Sequence, residues 1–304
     1  MPIYDNTYRR IEGIRPAGRF RFLPICRAGI VLFFRKKLYI LGALLAFIPF
    51  FLMMFGLAAP HLLPFPVEEL GSDLVRFLHL HPSTLFVYLT KFEWIFIFLF
   101  TILAGGGLVA NDLRANALEI YFSRPITVLD YFLGKLGVVL TVLLGLTLVP
   151  ALLLWVIDIL LAEEVGFWKG HLHLIPRIAA ACLFVTVPYA LMILAASAAA
   201  KSARNAMLLF AGVERVLTLS GAILTRALQR DEWGLLSVTK SMDRMTFWAL
   251  GADRGDVEML WQGRDPIPLI NLPLWMPASV IAFVCVGCAF IVLRRVRGVE
   301  IVKG

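Results

Sequence analysis

Charge is scarce in this chain. Only 16% of its 304 residues are Asp, Glu, Lys or Arg, against 60% hydrophobic, which excludes an ordinary soluble domain with about a quarter of its residues charged. Cysteine is scarcer still. Cys26 and Cys182 stand alone in the sequence, so no disulfide framework is expected. Cys285 and Cys288 form a CxxC inside an apolar run, where redox or zinc chemistry would lack water and further ligands; they read as small side chains on one helix face. No GxxxxGK[ST] occurs, so nothing here cradles a nucleotide's phosphates on a Lys-bearing glycine loop. The glycine-rich AGGGLVAND, residues 104–112, carries no Lys. At the end of an apolar run, Gly105, Gly106 and Gly107 are read instead as sites of close helix packing, within or between protomers. An intramembrane enzyme would need paired catalytic groups at one depth, and neither Asp158 nor Glu214 has an evident mate.

What the chain has in abundance is apolar blocks of the length, about 20 residues, that crosses some 30 Å of hydrocarbon. They predict an all-α polytopic membrane protein with about six spans, at 38–59, 87–110, 131–161, 177–200, 205–227 and 272–293. The first block starts near Leu38 after a long basic leader and exceeds a signal-peptide core, so it is read as a retained helix. The organisation expected is a leader over 1–37 and one helical membrane domain over 38–304.

Basic residues near span ends stay on the cytoplasmic side. The leader carries Arg9, Arg10, Arg15, Arg19, Arg21, Arg27, Arg35, Lys36 and Lys37, which sets the N-terminus inside. Six spans then put NDLRANALEIYFSRPIT, KSARN and the tail RRVRGVEIVKG on the same side, while the opposite loops are rich in Glu and Asp. Both termini are therefore expected in the cytoplasm. The formal charge of +8 reflects membrane orientation rather than nucleic-acid binding. Within the leader, RFRFLPICRAGIVLFFRKK alternates bases with apolar residues, as suits a helix lying in the headgroup region with its bases toward anionic lipid.

The most patterned polar segment is the loop 111–130. Asp112, Asn116, Glu119 and Ser123 recur at spacings of four, three and four, which predicts one polar stripe on a short amphipathic helix. Pro125 is expected to end it, because proline removes an amide donor and disfavours helical geometry at Arg124 before it. Thr127 followed by Asp130 then predicts a capping box that starts the next span.

This order, a polar helix with Leu118-Glu119, then Ser123-Arg124-Pro125, Asp130-Tyr131 and Gly134-Lys135, resembles the cytoplasmic loop between the second and third helices of type-2 ATP-binding-cassette (ABC-2) permeases. The six-span plan and interfacial elbow are similar too. The resemblance implies that residues 112–122 form a coupling helix for a separate ATPase subunit, which would bind the ATP and Mg. It implies an interface carried by Asp112, Arg114, Asn116, Glu119, Ser123, Arg124 and Pro125. It further implies a second permease copy or paralogue, membrane lipids as surroundings, export rather than import, and the cytoplasmic (inner) membrane of a prokaryote. A non-transporting scaffold or sensor, whose loop binds another partner, is the alternative.

Ionisable residues inside a span are costly and mark function by default. Asp158 is expected near the outer end of the third span, within reach of water. Glu214 and Arg215 sit near the middle of the fifth. Adjacent on a helix, they point about 100° apart and should not face one another. Lining a pathway, pairing across a dimer and marking a break between half-spans all remain open for them. The histidines His61, His79, His81, His171 and His173 fall in expected outer segments with no Cys beside them, and are read as loop residues at the headgroup boundary rather than metal ligands. The outer stretch 228–271, with Trp233, Trp248 and Trp261, predicts short amphipathic helices resting on the membrane surface; the resemblance implies a gate or lid there, with a plain connector as the alternative.

Overall fold

In the computed structural model the described residues are 20–62, 82–122, 126–161, 172–251, 269 and 271–300. Among them every regular element is helical: α1 (Phe22–Phe34), α2 (Lys37–Ala46), α3 (Ile48–Leu62), α4 (Pro82–Gly105), α5 (Ala110–Arg114), α6 (Ala117–Phe122), α7 (Val128–Leu161), α8 (Leu174–Ala199), α9 (Ala203–Leu228), a 3-10 turn (Asp231–Leu236), α10 (Val238–Leu250) and α11 (Trp275–Glu300). With no water in hydrocarbon to satisfy amides, a chain this apolar has to close its backbone hydrogen bonds within helices.

Among the described residues five helices are long and apolar enough to cross a membrane, and six if the bent pair Phe22–Phe34 and Tyr39–Phe55 counts as one span. The two members of that pair meet at 89°. That bend precedes the first expected span, 38–59, which is itself interrupted only at Phe47, between the end of α2 at Ala46 and the start of α3 at Ile48. The other expected spans appear with their ends moved by a few residues. At 34 residues, α7 is about 51 Å long, well beyond the hydrocarbon thickness, so it protrudes or tilts.

α8 forms the centre. It packs against α4, α7, α9, α10 and α11, and nearly every residue from Pro188 to Ala198 is buried. Its sequence there, PYALMILAASA, is short in side-chain volume at its C-terminal end, which lets several neighbours approach. The predicted close packing at the glycines is present within the chain. A Cβ on Gly105 would collide with Ile193 of α8, and one on Gly106 with Met207 of α9 and with the Ile102 carbonyl. α1 lies against the start of α7, where a Cβ at Gly134 would meet Ile25.

α10 departs from the surface helix expected in 228–271. Val238, Ser241, Met242, Met245, Thr246, Phe247, Ala249 and Leu250 are all buried, and the helix packs on α8, α11, α9 and α4. Its apolar face is wide enough to be covered by four partners, so it enters the bundle instead of lying on lipid. Trp233 and Trp248 keep exposed rings; Trp261 lies outside the described residues.

Candidate functional site

The loop between α4 and α7 begins with a staple. Ser197 of α8 accepts hydrogen bonds from the amides of Val109 (3.1 Å) and Ala110 (3.0 Å) and donates to the Gly106 carbonyl at 2.9 Å. One buried hydroxyl thereby satisfies backbone groups freed where α4 ends and α5 starts. It also sets the ends of α4 and α8 at the same level.

The single amphipathic helix predicted from Asp112 to Phe122 is two short ones. Ala115 closes α5, and Asn116 takes φ of 50°, a left-handed conformation that Asn tolerates better than most residues. The turn breaks the four-three-four stripe, so Asp112 does not share a helical face with Glu119. Asp112 instead turns inward. Its Oδ2 accepts from the Tyr131 hydroxyl at 2.8 Å and pairs with the Lys135 ammonium at 2.7 Å. Lys135 also lies over the rings of Tyr121 (5.8 Å) and Tyr131 (5.4 Å), a cation enclosed by one carboxylate and two aromatic faces. Tyr121 and Tyr131 meet edge-on at 5.4 Å between centroids. Burial, with the Asp112 carboxylate beside it, holds the Tyr121 phenol above its usual pKa. The side chains left outward on this loop are Arg114, Asn116, Glu119 and Ile120, all exposed. Ser123, Arg124 and Pro125 lie outside the described residues.

The predicted capping box is present. Thr127 N donates to Asp130 Oδ2 at 3.0 Å, Asp130 N donates to Thr127 Oγ1 at 3.1 Å, and the Thr127 hydroxyl adds a 2.7 Å bond to the same carboxylate. α7 therefore starts from a fixed point, and Tyr131 and Lys135 project from its first two turns onto α5.

A second polar cluster lies deeper. Glu214 is eleven residues into α9, about 16 Å along the helix from Ala203, and only 3% exposed. α9 is continuous through it, which removes the half-span break as an explanation. Contrary to the expectation from sequence adjacency, Glu214 and Arg215 do meet, with Nε to Oε2 at 3.3 Å. The long guanidinium arm bends back along the helix, and its plane rests over Trp94 (4.4 Å) and Phe98 (4.9 Å) of α4. The other oxygen, Oε1, accepts from Thr239 at 2.8 Å and from Thr218 at 3.2 Å.

The direction of the wider network follows from one proton per hydroxyl. Because Thr239 donates to Glu214, Tyr189 donates to Thr239 (3.1 Å) and accepts from Trp94 Nε1 (3.2 Å). Because Thr218 donates to Glu214, Ser237 donates to Thr218 at 3.1 Å. Donors from α4, α8, α9 and the start of α10 thus converge, directly or by relay, on one carboxylate. A parallel pair, Lys91 of α4 with Asp243 of α10, fastens the same two helices again. Lys91 also lies over the Phe247 ring at 5.6 Å.

Lys91 and Glu93 are charges within the expected second span that the sequence reading passed over. Glu93 is 1% exposed, and neither of its oxygens has a hydrogen-bond partner among the described residues. Asp158 is half-buried near the end of α7. Cys285 and Cys288 are both half-buried on α11. Among the described residues no three His, Cys, Asp or Glu side chains gather as a metal would need. His173 is exposed at the start of α8, whereas His79, His81, His171 and the side chain of His61 lie outside the described residues. No protein-family model matches this chain, and no curated protein does.

Proposed function

We propose that this chain is the membrane-spanning permease subunit of a type-2 ABC transporter, acting with a second copy or paralogue and driven by a separate ATPase that holds the ATP and Mg. The observation that carries the reading is the latch between Asp112, Tyr131 and Lys135. A docking element can transmit force only if it is stiffly joined to a span, and here the start of the loop is held twice, at Val109 and Ala110 by Ser197 of α8 and at Asp112 by Lys135 and Tyr131 of α7, while Tyr121 near its end meets Tyr131 edge-on. Arg114, Asn116 and Glu119 are the outward side chains the ATPase would touch. Asp112 is assigned an internal bracing role instead of a contact. Ser123, Arg124 and Pro125 are proposed as the corner that follows.

In this reading α1, at 89° to the segment after it, is the interfacial elbow, and both termini face the cytoplasm of a prokaryotic cell. α10 is the far-side gate. It is held shut by the Glu214 network and by Lys91–Asp243, and alternating access requires those contacts to part as the spans move. Export is the direction the resemblance favours.

The test is co-purification of the detergent-solubilised chain with a phosphate-loop ATPase from the same cells, whether or not one is encoded beside it. Glu119→Arg should lower both recovery of the ATPase and its stimulation by the membrane subunit. Full retention of both after this reversal, or the absence of any ATPase partner, would overturn the assignment and favour a scaffold or sensor.

A further inference from the structure

α9 and α11 both pack on α8 yet scarcely touch one another, which leaves a slot whose floor is the run of alanines at the end of α8. Its deeper part has a volume of about 210 Å³, between Ala195 and Ala196 on the floor, Leu209 and Val213 on one wall and Cys288 on the other. At Ala199 and Ile291 it continues into a wider mouth of about 580 Å³, bounded by Leu113 of α5 and by Arg294 and Arg295 of α11. The lining is therefore graded. It is apolar where the slot runs into the bundle, and doubly cationic where it opens at the level of the 110–122 loop.

We infer that this slot is a binding site for an anionic phospholipid, with the phosphate at Arg294 and Arg295 and one acyl chain lying along the alanine floor. Two features on the molecule select that occupant. Two exposed guanidinium groups at the mouth call for phosphate or carboxylate. The apolar depth calls for a hydrocarbon chain attached to it, which a soluble anion lacks. Small side chains make the slot: Ala195, Ala196 and Ala199 stand where larger residues would close the gap between α9 and α11. Leu113 in the wall places the occupant against the same loop that the proposed ATPase would engage, but lipid binding does not depend on that reading.

The experiment uses the full chain in phosphatidylcholine vesicles that contain either a phosphatidylglycerol or a phosphatidylcholine probe with a photoactivatable acyl chain, followed by mapping of the labelled peptides. The phosphatidylglycerol probe should label the stretches around 192–213 and 288–295 in preference to the phosphatidylcholine probe. Arg294→Gln with Arg295→Gln should reduce that preference on the order of tenfold, from the loss of two cations near the headgroups. Ala196→Leu should displace the label from the α8 peptide while leaving the headgroup preference. Soluble glycerol phosphate should not compete. Equal labelling by both probes, an unchanged preference in the double Arg variant, competition by glycerol phosphate, or crosslinks from the slot to a second copy would each overturn the assignment. Both Arg side chains are exposed, so the double variant is expected to fold. An ATPase that fails to co-purify would leave the lipid result standing, and the reverse also holds.

Discussion

Lys135 and Asp112 form an ion pair at 2.7 Å with side chains only 10% and 18% exposed, and this pair decides whether the loop after α4 moves with α7 or independently of it. Removing one partner strands the other charge in a poorly solvated place, which is worse than removing both. Lys135→Met should therefore destabilise the protein by about 3 kcal/mol, while Lys135→Met combined with Asp112→Asn should recover part of that loss. Thermal unfolding in detergent of the two single variants and the double variant gives the coupling directly. Additive effects would mean that the pair does not act as a unit.

The cap at the start of α7 makes a smaller and more local prediction. Thr127→Ala removes the two hydrogen bonds made by the Thr127 hydroxyl and leaves the one from its backbone amide to Asp130, and loss of an N-cap typically amounts to about 1 kcal/mol. Faster amide hydrogen exchange should follow over residues 128–131, with the centre of α7 unchanged. Asp130→Ala should act on the same residues while leaving the bond from the residue 130 amide to the Thr127 hydroxyl, and the double variant, which loses all three bonds, should exchange faster than either single one.

That cap was legible in the sequence because a capping box is a local pattern, complete within four residues. The apolar blocks were legible for a similar reason: their length against a bilayer is a one-dimensional property. The break at Asn116 was not, since a helical stripe written in sequence presumes one continuous helix, and a single left-handed residue redirects it. The pairing of Lys135 with Asp112 needs the chain to fold back, and periodicity does not encode that. The same holds for the insertion of α10, whose amphipathic pattern fits a membrane surface as well as a four-sided packing site. Lys91 and Glu93 are different: both stood in plain view within an expected span, and the rule that flagged Glu214 applied equally to them.

Close packing at the end of α4 can be tested by exchange of volume. A side chain at Gly105 has to occupy space held by Ile193, so Gly105→Val should destabilise by about 1–3 kcal/mol through overpacking. Ile193→Ala in the same chain should relieve much of it by vacating that space. Failure of the second change to help would place the strain in the backbone of the turn, where Ser197 holds Val109 and Ala110.

Charge reversal tests how α10 is fastened. Lys91 and Asp243 form a direct ionic contact between α4 and α10, and both side chains are mostly buried at 24% and 18% exposure. Lys91→Asp sets two carboxylates against each other at low dielectric, where like charges repel far more strongly than in water. The repulsion should lift α10 away from α4, raising hydrogen exchange over residues 238–250 and loosening Thr239 from Glu214. Asp243→Lys alone should do likewise by opposing two ammonium groups. The exchanged pair, Lys91→Asp with Asp243→Lys, restores opposite signs and should return protection toward that of the unaltered protein, short of full recovery because Lys91 also loses its place over Phe247. If either single reversal left α10 fully protected, the Lys91–Asp243 pair would not be what fastens that helix.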